Sequence, residues 1–563
     1  MKRREFIRKA ATTSLLFTSP GIIVRNSYRP GGGTTLVIKG GIVISGDGSP
    51  GRELDVAIEG SRISAVARDI NAQGAQIIDA RGRIVCPGFI DIHSHTDLSL
   101  LINPYAESKL RQGVTTEVAG QDGGSIGPWT TDRALSVRQR YKQDYDIEFD
   151  FDDLRGFFHH LEHVHNPAVN FASMIGAGTV RAKVIGATDR PATGDELESM
   201  VRLVSDAIEA GACGLSTGLE YIPGAFASID ELVALCAPLK RMGLPYASHM
   251  RNEDNELLAA IEEAVTIGQR AGVPTHISHL KAQGQSNWWK AEAALEIIES
   301  VATAGHKITF DRYPYVAYST GLSSLFPVWA REGGTDSFLE RLDDPEAAAL
   351  ISTAVHAKVA QLGDWNSVQV TSTGSDSLAW ARGRRLGELA AERNEDPYEM
   401  TIHLIRADRS NTGMVGFGMS EENTAAILSH PLGMICSDGG ARATYGPLSS
   451  GTPHPRTYGT FPRVLGYYCR DKKVMTLERA VHKMTGMPAN LLAFTDRGKV
   501  EVDFVADLVV FDPESVNDMA TFENPHQYPR GIDHVLVNGR SVIRDGERTD
   551  ERPGIVVRPT RRA

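Results

Sequence analysis

Phe89-Ile90-Asp91-Ile92-His93-Ser94-His95 is an apolar run, entered through Pro87-Gly88, that ends in two histidines one residue apart. Side chains along a strand alternate between faces, so this spacing sends His93 and His95 the same way, where both can grip one metal ion. An isolated His-x-His is more often two ordinary histidines. Here the apolar strand ahead of the pair and further histidines downstream favour metal ligation.

Working outward, the run is the first of eight strand-like segments, over 89–95, 115–120, 170–176, 214–220, 246–250, 275–280, 307–315 and 433–438. Helical patterns lie between them, as over 195–210 and 255–271. Eight strands with intervening helices give an α/β fold, a (β/α)8 TIM-type barrel. The last gap is on the order of 120 residues, far beyond an ordinary connection. It predicts an insertion after the seventh strand, a lid within about 322–430. On both flanks the texture changes to short β-rich runs: 36–38, 42–44, 56–58 and 63–66 before the barrel, 506–511 and 535–537 after it. Turn residues such as Gly40-Gly41 and Gly46-Asp47-Gly48 separate them. The expected organisation is a small β-sandwich domain from 34–86 and 498–556, enclosing a barrel over 87–497.

Bulk properties narrow the function. The chain has 563 residues, 41% hydrophobic and 23% charged, an ordinary soluble balance. A net charge of −11 argues against nucleic acid or an anionic membrane surface as main partner. No stretch reaches the length of a membrane span. The five cysteines (Cys86, Cys213, Cys236, Cys436, Cys469) are widely spaced and lack Cys-x-x-Cys, so no disulfide framework is expected. Residues 1–30 hold adjacent arginines, Arg3-Arg4, before the mildly apolar stretch 10–17, which resembles a twin-arginine export signal. Export to the periplasm is the expectation. The oligomeric state stays open.

Other strand ends carry chemistry too. His249 closes the fifth segment, His279 the sixth, and Asp438 follows Ser437 at the eighth. In a barrel these ends converge on one mouth. Four imidazoles and a carboxylate suit a one- or two-metal hydrolytic site, in which a metal polarises the scissile carbonyl and acidifies a water. Asp438 is the expected proton shuttle between that water and the leaving amine. His276 lies an odd number of residues from His279 and is expected to face away, in a structural role. The histidine-rich run His159-His160-Leu161-Glu162-His163-Val164-His165 precedes the third segment and reads as a solvated helix face.

Several strings carry a resemblance: Pro87 to His95, Gly214-Leu215-Ser216-Thr217-Gly218-Leu219, Tyr246-Ala247-Ser248-His249-Met250-Arg251-Asn252-Glu253, and Ile277-Ser278-His279-Leu280-Lys281. Asp311-Arg312-Tyr313-Pro314-Tyr315, the stretch His454-Pro455-Arg456-Thr457-Tyr458-Gly459-Thr460-Phe461-Pro462-Arg463, and Val505-Ala506-Asp507-Leu508-Val509 belong with them. Over about 36–545 the chain resembles the amidohydrolase superfamily, and within it the D-aminoacylase (N-acyl-D-amino-acid deacylase) family. The resemblance implies Zn2+, one or two ions per chain, on His93, His95, His249 and His279, with Asp438 as catalytic aspartate. It implies an N-acyl amino acid as the small-molecule substrate, its carboxylate met by Lys281, Tyr313, Ser319 and Arg456. A guanidinium binds a carboxylate bidentately. A dipeptidase or a dihydroorotase-like cyclic amidase is the alternative within the superfamily, and a degenerate binding protein the alternative outside catalysis.

The chain departs from the family's pattern in three places. Gly120-Gln121-Asp122-Gly123 stands where the family has a metal-binding cysteine, so Asp122 replaces a thiolate. Glu220 ends the fourth strand where many relatives are apolar. Both carboxylates are candidate metal bridges, with Glu220 expected first and Asp122 second. Residues 439–452 form a longer loop than is typical, which could alter the path to Arg456.

Overall fold

The second barrel strand, Val114–Ala119, is buried along its whole length, as a parallel strand covered on both faces must be. It lies within a ring. The computed structural model describes residues 34–560, so the export-type segment expected over 1–30 falls outside the described residues. Phe89–Asp91 pairs in parallel with Val114–Ala119, which pairs with Asn170–Ser173. That third strand resumes as Ile175–Gly176 and pairs with Leu215–Gly218. Tyr246–His249, Thr275–Ile277, Ile308–Arg312 and Gly433–Ile435 follow in sequence order, all parallel. A parallel bridge between Ser94 and Gly439 joins the eighth strand back to the first. The fold is of the TIM-barrel type.

Helices between the strands begin and end where local chemistry dictates. Gly194–Ala210 starts on a capping box, Thr193 with Glu196, and stops at Gly211, whose φ is +113°. Leu257–Ala271 stops at Gly272 in the left-handed region.

Two expectations need correction. The hydrogen-bonded strands begin where the sequence places them but end sooner, at Asp91, His249, Ile277 and Ile435. Beyond those points the chain bends, with His279 at φ +35° and Asp438 at +48°. The insertion also begins earlier than 322. Ala317–Gly321, Val368–Ser372 and Gly413–Phe417 form its three-stranded antiparallel sheet, the last in the centre. Ser319 therefore sits on the insertion and not on the barrel. Helices Thr335–Asp343, Pro345–Leu362, Leu386–Arg393 and Pro397–Ala407 complete the insertion.

Strands from both flanks join one nine-stranded sheet. Its seam is the antiparallel pair Ile84–Pro87 and Leu508–Phe511. Ile38, Ile58, Ile78, Val85, Val510 and Leu536, drawn from both sides of that seam, share one apolar cluster. The chain passes from the seam into the first barrel strand through Gly88. A Cβ there would lie 2.1 Å from Thr115 Oγ1, so only glycine fits. All five cysteines are buried and unpaired. No described helix is long and apolar enough to cross a membrane.

The ring closes over a buried charge cluster. Lys109 Nζ donates to Asp91 Oδ2 (2.8 Å), Ser437 Oγ (2.7 Å) and the Gly439 carbonyl (2.6 Å), and lies 3.1 Å from Glu117 Oε1. Lys109, Asp91 and Glu117 have no exposed side-chain surface. Removing one member of a buried ion cluster strands the others without water or counter-charge. Lys109→Met is therefore expected to lose about 3–5 kcal/mol of stability, read as a lower urea midpoint. An unchanged midpoint would contradict this account of ring closure.

Candidate active site

The short loop after the second strand places Asp122 over the barrel mouth. Ser216 of the fourth strand clamps this loop: its Oγ donates to the Gly120 carbonyl (2.6 Å) and accepts from the Gly123 N–H (3.1 Å). Gln121 donates to the Ile92 carbonyl at 2.9 Å, tying the same loop to the first strand. Asp122 itself adopts φ +53°, which aspartate tolerates better than most residues.

Four imidazoles surround that carboxylate. Asp122 Oδ1 lies 3.3 Å from His93 Nε2 and 3.4 Å from His279 Nε2. Asp122 Oδ2 lies 3.4 Å from His95 Nε2 and 3.6 Å from His249 Nδ1. Asp438 Oδ1 approaches His95 Nε2 at 3.1 Å and His93 Nε2 at 3.8 Å. Three groups of possible ligand atoms result among the described residues: His93 with His95, Asp122 and Asp438; Asp122 with His249 and His279; and Glu220 with His249 and Glu253. Asp122 belongs to the first two and His249 to the last two.

The two carboxylates expected as bridges stand differently in the site. Asp122 stands between the histidines, whereas Glu220 Oε2 meets the far nitrogen of one of them, His249 Nε2, at 3.2 Å. The fourth strand ends at Gly218, and beyond it the chain turns Glu220 to the outside of the cluster. Two other imidazoles also have an outer carboxylate. His93 Nδ1 faces Asp311 Oδ2 at 3.5 Å, and His279 Nδ1 faces Glu253 Oε1 at 2.9 Å. Outer carboxylates of this kind fix ring orientation and tautomer at metal sites. Glu253 and Asp311 stand within the strings Met250 to Glu253 and Asp311 to Tyr315, where nothing in the sequence alone distinguishes their carboxylates from ordinary ion-pair partners.

His276 also departs from expectation. It does not face away: its Nε2 lies 2.8 Å from Asp311 Oδ2, the oxygen that also faces His93 Nδ1. The parity rule fails because the strand has ended at Ile277 and His279 has positive φ. The run from His159 to His165 lies on helices Leu154–His160 and Leu161–His165, where His159 stacks on His163. None of its histidines enters the clusters above.

The residues expected to meet a substrate carboxylate gather beside Asp438. Arg456, first residue of helix Arg456–Arg463, puts Nη1 2.7 Å from Asp438 Oδ2. Its Cζ lies 4.6 Å from the centre of the Tyr313 ring. Arg456 Nε and the Tyr313 hydroxyl are buried without a hydrogen-bond partner. Lys281 Nζ pairs with Glu253 Oε1 at 2.5 Å and contacts His279 Nδ1 at 2.7 Å. Ser319 lines the cavity from the inserted sheet, as does Lys358 from helix Pro345–Leu362. Nothing in the sequence marked Lys358, an ordinary-looking lysine of an inserted helix.

Burial works against charge on these groups, and their neighbours decide the outcome. Desolvation opposes protonation of His95, but Asp122 and Asp438 outweigh it and raise the ring to about 9. Desolvation opposes His249 likewise, and Glu253 with Asp122 raises it to about 10. Burial alone would raise Asp438, yet Arg456 above all holds it ionised well below the usual carboxylate range.

The chain is similar to known proteins along nearly its whole length. The profile of the Amidohydrolase family matches residues 76–543. A D-aminoacylase of Alcaligenes xylosoxydans xylosoxydans is 35% identical over 93% of this chain and 98% of its own. A solved D-aminoacylase, described with a binuclear metal center, is 36% identical with a TM-score of 0.77, covering 93% of this chain and 99% of that one. The N-acyl-D-glutamate deacylase of Bordetella bronchiseptica, solved with zinc and a phosphonate mimic of the tetrahedral intermediate, is 32% identical with the same TM-score. It is matched over 93% of this chain and 100% of its own.

A metal entering this cluster competes with protons on His95 and His249. Zinc affinity of the metal-free protein is therefore expected to rise from pH 6.5 to pH 8.5, with proton release in calorimetry. Asp122→Ala should lower the metal content more than Glu220→Gln does. Equal metal content in the two variants would remove Asp122 from its bridging position.

Proposed function

This chain belongs to the amidohydrolase family, and from that premise we propose that it hydrolyses the amide bond of N-acyl-D-amino acids, releasing a carboxylate and a D-amino acid. One observation carries the reading: two buried donors without partners, Arg456 Nε and the Tyr313 hydroxyl, stand beside Asp438 and the histidine cluster. Burying unsatisfied donors is costly, and a free α-carboxylate would satisfy them. Lys281 and Ser319 add to the same anionic grip.

The histidine cluster fits zinc. His93 is fully buried with no hydrogen bond at either ring nitrogen, and Asp122 Oδ1 is equally unpartnered. His93, His95, His249 and His279, with Asp122 between them, would hold one or two ions. A bound zinc supplies Lewis-acid polarisation of the scissile carbonyl and acidifies water. The chain's own residues supply the rest. Arg456 holds the substrate carboxylate while its Nη1 orients Asp438, whose other oxygen faces the cluster. Asp438 takes a proton from the attacking water and delivers it to the amide nitrogen as the C–N bond breaks. Glu253, Asp311 and Glu220 hold the imidazoles in place from outside.

The domain reading accompanies this function. We take 34–86 with 498–556 as a small sandwich supporting a catalytic barrel over 87–497, and the insertion as a lid over its mouth. Arg3-Arg4 supports export to the periplasm, which fractionation of the producing cell would check.

The test is a matched panel of N-acetyl-D-amino acids, N-acetyl-L-amino acids and dipeptides, assayed with metal analysis. Turnover confined to the D-series is expected, and turnover confined to dipeptides would sink the reading. Asp438→Asn should lower kcat by about 10²–10⁴-fold with metal content retained. Full activity in that variant would remove Asp438 from the proton path.

A further inference from the structure

The cavity at the barrel mouth has two lobes that meet at His95, Asp438, Arg456, Ser319 and Thr320. The first, about 360 Å3, extends past Lys281 to Glu220, Glu253, Lys358 and Ser324, and apart from the rings of Tyr221 and Tyr318 its lining is polar or charged. The second, about 480 Å3, runs between Ile102, Tyr141, Tyr145, Leu448 and the 439–452 loop. A substrate held by its carboxylate at Arg456 and Lys281 has its Cα on the side of the first lobe, because Lys281 lines only that one. Its acyl group would then point past His95 and Asp438 into the second lobe.

Opposite charges line the first lobe without neutralising each other directly. Glu220 meets His249, and Lys358 Nζ pairs with Asp254 Oδ2 at 2.6 Å. Both side chains keep some exposure, 21% for Glu220 and 18% for Lys358, and no ion pair joins them among the described residues. An apolar side chain entering here would strip water from both and return no hydrogen bond. An acidic side chain would meet Glu220 and Glu253, and a cationic one would meet Lys358 and Lys281. A carboxamide offers an N–H to the carboxylate and a carbonyl to the ammonium.

Resting on the deacylase reading, we propose that the first lobe selects N-acyl-D-amino acids with a neutral hydrogen-bonding side chain, the carboxamides foremost. Glu220 and the lid residue Lys358 are the specificity determinants. A site built from buried polar groups rejects an analogue that leaves them unpaired. Like charges brought together discriminate in the same direction.

The experiment compares kcat/KM of the metal-loaded enzyme for N-acetyl-D-glutamine, N-acetyl-D-leucine, N-acetyl-D-glutamate and Nα-acetyl-D-lysine. The glutamine derivative is expected to lead each of the others by about tenfold or more. In Glu220→Gln the glutamate-to-glutamine ratio should rise about tenfold, and in Lys358→Gln the lysine-to-glutamine ratio should rise as much. Ratios within one variant cancel any general loss of activity. Leucine, glutamate or lysine derivatives equalling glutamine, or ratios unmoved in both variants, would overturn the selectivity while leaving deacylation standing. No turnover of any N-acetyl-D-amino acid would instead overturn the deacylase reading, and this inference with it.

Discussion

The ammonium of Lys109, buried among Asp91, Glu117, Ser437 and the Gly439 carbonyl, ties together three of the barrel strands whose ends carry the site, the first, second and eighth. Asp91 ends the first strand, just before His93 and His95. Glu117 lies in the second, ahead of Asp122, and Ser437 precedes Asp438 beyond the eighth. Ser437 is held by Asp91 a second time, its N–H donating to Oδ1 at 2.8 Å. A parallel ring has no hairpin between its last strand and its first, so something must set their relative height. Here the buried Lys109 ammonium does so together with the Ser94–Gly439 bridge and the Asp438 N–H, which donates to the His93 carbonyl at 2.9 Å.

The metal cluster continues the same logic outward. At its centre Asp122 contacts all four imidazoles, and outside it Asp311, Glu253 and Glu220 face the far nitrogens of His93, His279 and His249. Inner groups are therefore clamped by an outer shell, which limits the motion a ligand set can make when substrate arrives. Asp122 sits between the two pairs of imidazoles with no cationic side chain of its own among the described residues. A divalent cation is the complement such a cluster favours.

The insertion supplies what the barrel lacks. Barrel strand ends bring the histidines and Asp438, but Ser319 and Lys358 come from the inserted sheet and helix. Tyr313, just past the seventh strand, stacks with Arg456 from a helix after the eighth strand. The cavity is thus lined by side chains from both the barrel and the insertion.

Much of this was legible in the chain. Apolar strand patterns and their spacing gave the barrel, the long gap before Gly433 gave the insertion, and histidines at strand ends gave the cluster. Those signals are local: strand periodicity and strand-end position follow from backbone geometry wherever the strand sits. What escaped depended on where the chain leaves its strands. Positive φ at His279 cancelled the parity that sent His276 outward, and the turn after Gly218 carried Glu220 past the centre that Asp122 occupies. The pairings of Lys109 with Ser437 and of Arg456 with Asp438, and the place of Lys358 in the cavity, join segments with no periodic relation between them. The sequence by itself determined which elements form and which residues stand at their ends. Only the tertiary structure decided which ends touch, because distances between side chains are set by strand bends and by the closing of the ring.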